Sequence, residues 1–494
     1  MEISEIFLVS GVYAPLVCAL AIAAFYKAGG FLVKTIAAAG FAISLFSSVA
    51  SFWKCFCGCQ VAADSVFGQL GLNGVSAAMY LLAGIVGFAA FVWTLSSPKK
   101  IENITAYLLC MLAMQGGLMG MFASQNILWM YAFHEFALVP TFIAMCVWGG
   151  EKRRAAAMEM AIYLTFGALL ALLGIIALAF VATRSLIFNL PELVEAFGAN
   201  AVNPKDAGFI FAVLAVGLGA LVSLFPLHSW APKTYEQAPT AFSMLHAGVL
   251  KKFGLYVLIQ VAIPLLGVGA ASALKVVATL ALFNVIFIGL CTMAQTNFKA
   301  MVSYSSVSHM GLCFLGIASM SVLGAGGCVL IMFGHGLSVA ALFIFAEIVN
   351  DRFSTCDMRL LGGAYKKMPV CAGLFAAAIM ANIGLPGFAN FWGEFCVFIS
   401  LWNYSAAFCA LAVLGIIISA IYGLRAVANI FLGGEGENVK TRGARDISWR
   451  ERAAVLILLA ALVIVGFCPR LITNPLNGTL SDIASYNLTQ KSAK

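Results

Sequence analysis

The chain reads as long apolar runs separated by short polar stretches. About 20 consecutive apolar residues cross the hydrocarbon core of a bilayer as a helix. By that measure fourteen spans are expected, near 6–25, 31–53, 75–95, 104–123, 126–149, 157–182, 207–230, 241–263, 273–293, 300–319, 322–349, 369–402, 405–432 and 452–473. Two runs carry helix breakers. The seventh ends in "LFPLHSWAPKTY", with Pro226 and Pro232, and the twelfth holds "GLPGFANFWGEF", with Gly384, Pro386 and Gly387. Proline removes a backbone donor and clashes with the preceding turn, so spans 7 and 12 are predicted to be discontinuous.

The expected fold class is therefore an all-α polytopic membrane protein of about 14 transmembrane helices, two of them broken. The breaks fall in two five-span blocks, spans 4–8 and 9–13. An odd number of spans makes the second block enter the membrane from the opposite side, so an inverted repeat is expected, with ion sites near the broken helices. The organisation read from this is residues 1–103 for spans 1–3, 104–266 for the first repeat, 267–433 for the second, and 434–494 for a cytoplasmic loop, span 14 and a tail.

Composition agrees. Of 494 residues 63% are hydrophobic and 10% charged, with mean hydropathy +1.01. Soluble proteins carry about 25% charged residues. Little room is left for a soluble domain, and the net charge of +8 is read by side of the membrane rather than as a nucleic-acid footprint. Loops after odd-numbered spans hold most of the cations, among them Lys27, Lys99, Lys100, Lys152, Arg153, Arg154, Lys366 and Lys367. Loops after even-numbered spans hold few, chiefly Lys54, Arg184 and Lys205. This asymmetry predicts cytoplasmic odd-numbered loops and extracytoplasmic termini. The acidic start "MEISEIFLVSG" lacks the basic region of a cleaved signal, so the first span is expected to remain.

Against this apolar background a few ionisable residues stand out, and inside a membrane such residues are functional candidates by default. An ammonium at the bilayer centre costs roughly 2.5–3.5 kcal/mol on insertion scales. Yet "HAGVLKKFGLY" in span 8 contains both Lys251 and Lys252. Glu135 lies in span 5 beside His134, His309 in span 10, His335 in span 11, Glu394 past the break in span 12, and His228 at the end of span 7. Burial moves the pKa values of lysine, histidine and carboxylate toward neutrality, as a proton relay requires. Neighbouring helix positions point about 100° apart, so the two lysines are not expected to face one pathway. Lys252 shares a face with Gly248, where a second helix or water can approach, and is the favoured relay residue. Glu347, near the end of span 11, reads as a solvated or snorkelling residue.

Other chemistry is not signalled. The sequence has no P-loop, no dinucleotide-binding glycine pattern and no clustered metal ligands. "CFCGC" (Cys55, Cys57, Cys59) has C-x-C-x-C spacing, unlike zinc or cluster sites, and reads as free thiols or a local disulfide.

The motifs "FPLHSWAPKTYEQAPTAFSMLHAGVLKKFGLY", "AQTNFKAMVSYSSVSHMG", "GHGLSVAALFIFAE", "MRLLGGAYKKMP" and "GLPGFANFWGEF", in order across roughly residues 70–470, resemble the chain-4 (subunit M) antiporter-like family of respiratory complex I, NADH-quinone oxidoreductase. The resemblance implies a proton-pumping membrane-arm subunit beside other antiporter-like subunits, in a bacterial inner membrane. NADH, FMN, iron–sulfur clusters and quinone would then belong to partner subunits, with none held here. It also implies relay roles for Glu135, Lys252, His309, His335 and Glu394, the last at a position where sister subunits carry lysine.

Three departures stand out. Leu221 occupies the place of the family's span-7 lysine, which pairs with the span-5 glutamate. Lys251 stands where the family has an apolar residue. Lys233 and Tyr235 replace an acid and a histidine. Lys251 is accordingly expected to substitute for the missing lysine by facing span 5 and Glu135, with His134 and His228 as the next partners for Glu135. Related Mrp-type cation/proton antiporter subunits and membrane subunits of hydrogenase or formate-linked complexes are the alternative readings.

Overall fold

A computed structural model describes residues 3–26, 29–99, 101–199, 202–436, 439 and 445–492. Lys27 and Lys100 of the charge pattern lie outside them. Among the described residues twelve helices are long and apolar enough to cross a membrane, and Trp449–Phe467 with its bent continuation makes a thirteenth. The pair Pro369–Asn382 and Ala389–Tyr404 is too short in each half to count alone and supplies the remaining span.

In chain order the spans begin with α1 (Ile3–Ala24), α2 (Gly30–Phe56), α3 (Gly74–Ser96), α4 (Ile104–Ala123), α5 (Ile127–Trp148) and α6 (Arg153–Thr183). A short helix α7 (Leu190–Ala199) precedes the broken span 7, which is α8 (Pro204–Val222) followed by α9 (Trp230–Gln237). Span 8 starts as α10 (Thr240–Gly248) and continues through a 3₁₀ turn (Leu250–Lys252), α11 (Phe253–Val257) and a π segment (Leu258–Ala262) into the start of α12 (Ile263–Phe283), ending at Gly267; span 9 (Gly269–Ala294) takes up the rest of α12. A second π segment, Asn284–Ile288, leads to α13 (Gly289–Ala294). Then come α14 (Phe298–Ala318), α15 (Val322–Phe353), α16 (Pro369–Asn382), α17 (Ala389–Tyr404), α18 (Ala406–Phe431), α19 (Trp449–Phe467) and α20 (Arg470–Ser492).

The breaks in spans 7 and 12 are present as expected, but span 8 is irregular too, and no proline announces it. Span 14 is shorter than the run 452–473. It stops at Phe467, and the chain turns by 67° before continuing to Ser481. Thr479 Oγ1 there accepts from the Gly74 amide at 2.9 Å, tying the tail to the start of α3. The fold is also not wholly helical. β1 (Val61–Ser65) and β2 (Gly68–Leu72) form an antiparallel hairpin between spans 2 and 3, turning at Gly68 with φ +81°.

Lipid has no hydrogen bonds to offer, so a broken helix must find partners for its freed backbone. At the span-7 break Asn284 supplies them. Its Oδ1 accepts from the Phe225 amide at 2.7 Å and its Nδ2 donates to the Ser223 carbonyl at 2.9 Å. Trp230 Nε1 donates to the Ala220 carbonyl at 3.0 Å. The windows of α14 and α15 are 94% and 100% buried, and that of span 8 is 94% buried, against 33–44% for α1, α2, α5 and α6. Spans 8, 10 and 11, which carry Lys251, Lys252, His309 and His335, are therefore the centre of the bundle.

Candidate proton pathway

Two glycines set the centre of the site. A Cβ on Gly336 of α15 would lie 2.5 Å from the Gly248 carbonyl oxygen, and one on Gly248 would lie 3.0 Å from the Gly336 oxygen. The helix seen approaching the Gly248 face is thus α15. Just past Gly248 the backbone leaves the α-helix at Val249 (φ −127°, ψ −62°) and tightens into the 3₁₀ turn that holds both lysines. Lys252 is fully buried, with its Nζ donating to the Ala247 carbonyl and lying 3.0 Å from His335 Nδ1. When Lys252 is an ammonium it can only donate, so in that state Nδ1 accepts and the neutral His335 ring carries its hydrogen on Nε2. Nε2 is buried without a partner among the described residues.

The His335 and His309 rings follow at a centroid distance of 5.4 Å. His309 lies between two carbonyls, Nδ1 2.8 Å from Ser305 O and Nε2 2.9 Å from Asn382 O. Only a ring bearing both protons can donate to both oxygens, so this position suits a proton in transit. Asn382 ends α16, which brings His309 to the span-12 break. On the other side of that break Glu394 is 3% exposed on α17, its carboxylate against Gly384. Lys252, His335, His309 and Glu394 thus form a buried series from span 8 to span 12.

The other end is arranged differently. Glu135 is half-exposed on the outer side of α5 (side chain 36%) and its Oε1 lies 3.1 Å from His134 Nδ1. His134 is buried and stacks on Phe253, the residue after Lys252, at 4.2 Å. Lys251 does not face span 5. Its Nζ reaches the Ser306 carbonyl of α14 at 3.4 Å and lies 5.6 Å from the centre of the Tyr235 ring. The 3₁₀ turn sends the two lysines to different helices, Lys251 toward α14 and Lys252 toward α15. This corrects the expectation that Lys251 stands beside Glu135 in place of the lost lysine. Leu221 is buried against α6, where Gly167 leaves room for it. His228 stays near the break of span 7, stacked on Phe225 at 5.5 Å, and its hydrogen-bond partner is not Glu135.

Sequence reasoning left several residues without their partners and missed others. Lys233 pairs with Glu159 of α6 at 2.8 Å. Glu347 is less free than a snorkelling residue, accepting from Trp93 Nε1 at 2.8 Å and Ser97 Oγ at 2.9 Å. It lines a cleft of about 890 Å³ shared by Lys99, Lys152, Glu236, Lys299 and Cys356. Segments following spans 3, 5, 7, 9 and 11 all meet there, so these odd-numbered connections share one end of the bundle. Burial pushes the Cys356 thiol up to about 11, which keeps it protonated near neutral pH. His246 escaped notice although it opens the stretch containing the lysines. It is buried, with Nδ1 3.0 Å from Tyr235 Oη. Cys55, Cys57 and Cys59 are free thiols, and no metal-ligand cluster occurs among the described residues.

Residues 124–419 match the model of the family described as NADH:quinone oxidoreductase/Mrp antiporter, TM. The chain is 32% identical over 427 residues to NAD(P)H-quinone oxidoreductase chain 4 1 of Synechococcus sp. (strain JA-2-3B'a(2-13)), covering 84% of this chain and 79% of that one. It is 31% identical over 406 residues to NADH-quinone oxidoreductase subunit M of Rickettsia felis, covering 82% and 81%. A chain of respiratory complex I from Thermus thermophilus superposes with TM-score 0.83 at 25% identity over 97% of this chain and 99% of that one. One from the Mrp complex of Dietzia sp. DQ12-45-1b superposes with TM-score 0.85 at 17% identity over 99% and 100%, a likeness of fold alone. The chain belongs to the NADH:quinone oxidoreductase/Mrp antiporter transmembrane family, among the antiporter-like membrane subunits related to complex I subunit M.

Proposed function

We propose that the chain translocates protons in the membrane arm of an NADH:quinone oxidoreductase. The observation that carries this reading is the buried series Lys252–His335–His309–Glu394, which joins the irregular part of span 8 to the break in span 12. Each member can gain or lose a proton. His134 and Glu135 form the end nearest the outer surface of α5, suited to meet a neighbouring antiporter-like subunit. In this reading redox energy arrives from partner subunits that carry NADH, FMN, iron–sulfur clusters and quinone; the relatives' names, NAD(P)H-quinone and NADH-quinone oxidoreductase, support a quinone-reducing assembly. The division into inverted repeats at 104–266 and 267–433 fits as well. In each block the fourth span is broken, and the second span carries a buried histidine, His134 in one and His309 in the other. The end where the odd-numbered connections meet is taken as cytoplasmic in a bacterial inner membrane, because those connections hold most of the loop cations, with both termini on the opposite side.

The test uses the assembled complex in inverted membrane vesicles, with quinone reduction and proton uptake followed together. Lys252→Met is expected to abolish proton translocation while the complex still assembles. Unchanged translocation would refute the relay. Translocation driven by a sodium or potassium gradient without quinone reduction would favour a cation/proton antiporter instead.

A further inference from the structure

Resting on the proton-translocating reading, we infer that Tyr235, His246 and Lys251 form a second proton-holding site, filled from the charged cleft where the odd-numbered connections meet and discharging to Lys252. Three buried polar groups from α9, α10 and the 3₁₀ turn converge here. His246 Nδ1 lies 3.0 Å from Tyr235 Oη, and Lys251 Nζ lies over the same tyrosine ring, 5.6 Å from its centre. All three are at most 2% exposed. His246 Nε2 is buried without a partner among the described residues, so the ring has an open position for a proton. Lys251 is the neighbour of Lys252 in the same 3₁₀ turn, which sets the group beside the central lysine.

Packing alone gives a poor account of the group. A buried polar cluster is often replaceable by leucine-sized apolar residues at little or no cost in stability. Three such residues inside a membrane bundle therefore point to use. Lys251 and Lys252 are adjacent, both buried, and differently held. Lys252 has two close partners, whereas Lys251 has only the 3.4 Å carbonyl contact and the ring face. Two like charges so close in a low dielectric disfavour each other. The pair therefore works in turn: Lys251 is an ammonium while Lys252 is an amine, and the reverse after transfer.

A polar route reaches the group from the cleft. Lys299 Nζ, on the cleft wall, donates to the Ala238 carbonyl at 2.8 Å. Ser243 Oγ lies 3.5 Å from that oxygen and 3.4 Å from the Tyr235 carbonyl. Ser243 and His246 are three residues apart on α10, hence on one helix face. Glu236, next to Tyr235, also lines the cleft. The step is proton transfer only. His246 goes from imidazolium to imidazole as Lys251 goes from amine to ammonium, and Lys251 then returns to amine as Lys252 is protonated.

The experiment compares His246→Leu, His246→Gln, Lys251→Leu, Tyr235→Phe and Tyr235→His in the assembled complex, measuring NADH-driven quinone reduction and proton uptake in inverted vesicles. His246→Gln keeps a hydrogen-bonding group of similar reach that cannot carry the proton, and so serves if the leucine variant fails to assemble. Losing a positioned proton carrier slows its transfer step on the order of 10²-fold. Protons moved per quinone reduced should therefore fall severalfold in His246→Gln, His246→Leu, Lys251→Leu and Tyr235→Phe, with complex content unchanged. Tyr235→His should retain most of the activity, a rescue that mere space filling would not produce. The double variant His246→Gln/Lys251→Leu should be no worse than either single one, because one site is lost in each. Normal proton translocation in His246→Gln, or additive losses in the double variant, would overturn the inference. Lys252→Met is measured alongside. If it abolishes translocation while His246→Gln does not, the second site fails and the main relay stands; if Lys252→Met itself pumps normally, the relay reading fails first.

Discussion

Gly248 and Gly336 face each other across the contact of α10 with α15, and their backbones come so close that neither position has room for a methyl group. This approach places Lys252 Nζ 3.0 Å from His335 Nδ1. Gly336→Ala should therefore push the helices apart and lengthen that contact. Overpacking of this kind costs about 1–3 kcal/mol. The expected outcome is a lower thermal midpoint of the assembled complex together with a loss of proton translocation. Gly373→Ala, where nothing lies within 4 Å of the added carbon, should change neither.

Glu394 is held over the break of span 12. Gly384 there has φ +76°, and a Cβ on it would lie 2.0 Å from Glu394 Oε2. A side chain in the left-handed region costs roughly 1–2 kcal/mol, before the carboxylate is displaced. Gly384→Ala should thus mimic the loss of Glu394. Glu394→Gln should lower proton translocation more than assembly, and Glu394→Lys should be better tolerated than Glu394→Leu. Normal pumping by Glu394→Leu would reduce the carboxylate to a structural role.

Leu221→Lys should not rescue Lys251→Leu. Leu221 is packed against α6 near Gly167, whereas Lys251 reaches toward α14 and Tyr235. A lysine at position 221 would bring an ammonium into an apolar contact, and an isolated buried charge is strongly unfavourable. Lower complex content in Leu221→Lys is the expected result, read by native gel and quinone reductase activity. Restored pumping in the double variant would show that the two lysine positions are interchangeable after all.

The Lys233–Glu159 pair should matter little to stability. Lys233 is 57% exposed, and exposed ion pairs contribute about 0–1 kcal/mol. Lys233→Met should shift the thermal midpoint only slightly at pH 7. A large shift at neutral pH would mean that Glu159 becomes an uncompensated charge.

Sidedness can be read with thiol reagents. Cys57 and Cys59 are exposed at the connection after span 2. A cysteine introduced at Lys152, in the cleft after span 5, should be labelled from the opposite side of the membrane. Labelling of both from one side would contradict the alternation of spans.

The sequence by itself determined the spans and two of the breaks. In lipid each helix must satisfy its own backbone, so apolar length and proline position carry most of that information locally. It also marked Lys252, His309, His335 and Glu394, because an ionisable side chain inside an apolar run is conspicuous on its own. The hairpin at Val61–Leu72 was less visible, since its short strands depend on each other for hydrogen bonds. Only the tertiary structure decided where Lys251 points, because a 3₁₀ turn between α10 and α11 sets its direction and has no proline signature. Only it gave His246 a meaning, through a tyrosine on another helix eleven positions earlier in the chain. A proton passes between groups that meet in space, and for Tyr235, His246, Lys251 and His335 that meeting is made by helix breaks and by two facing glycines rather than by neighbouring positions in the chain.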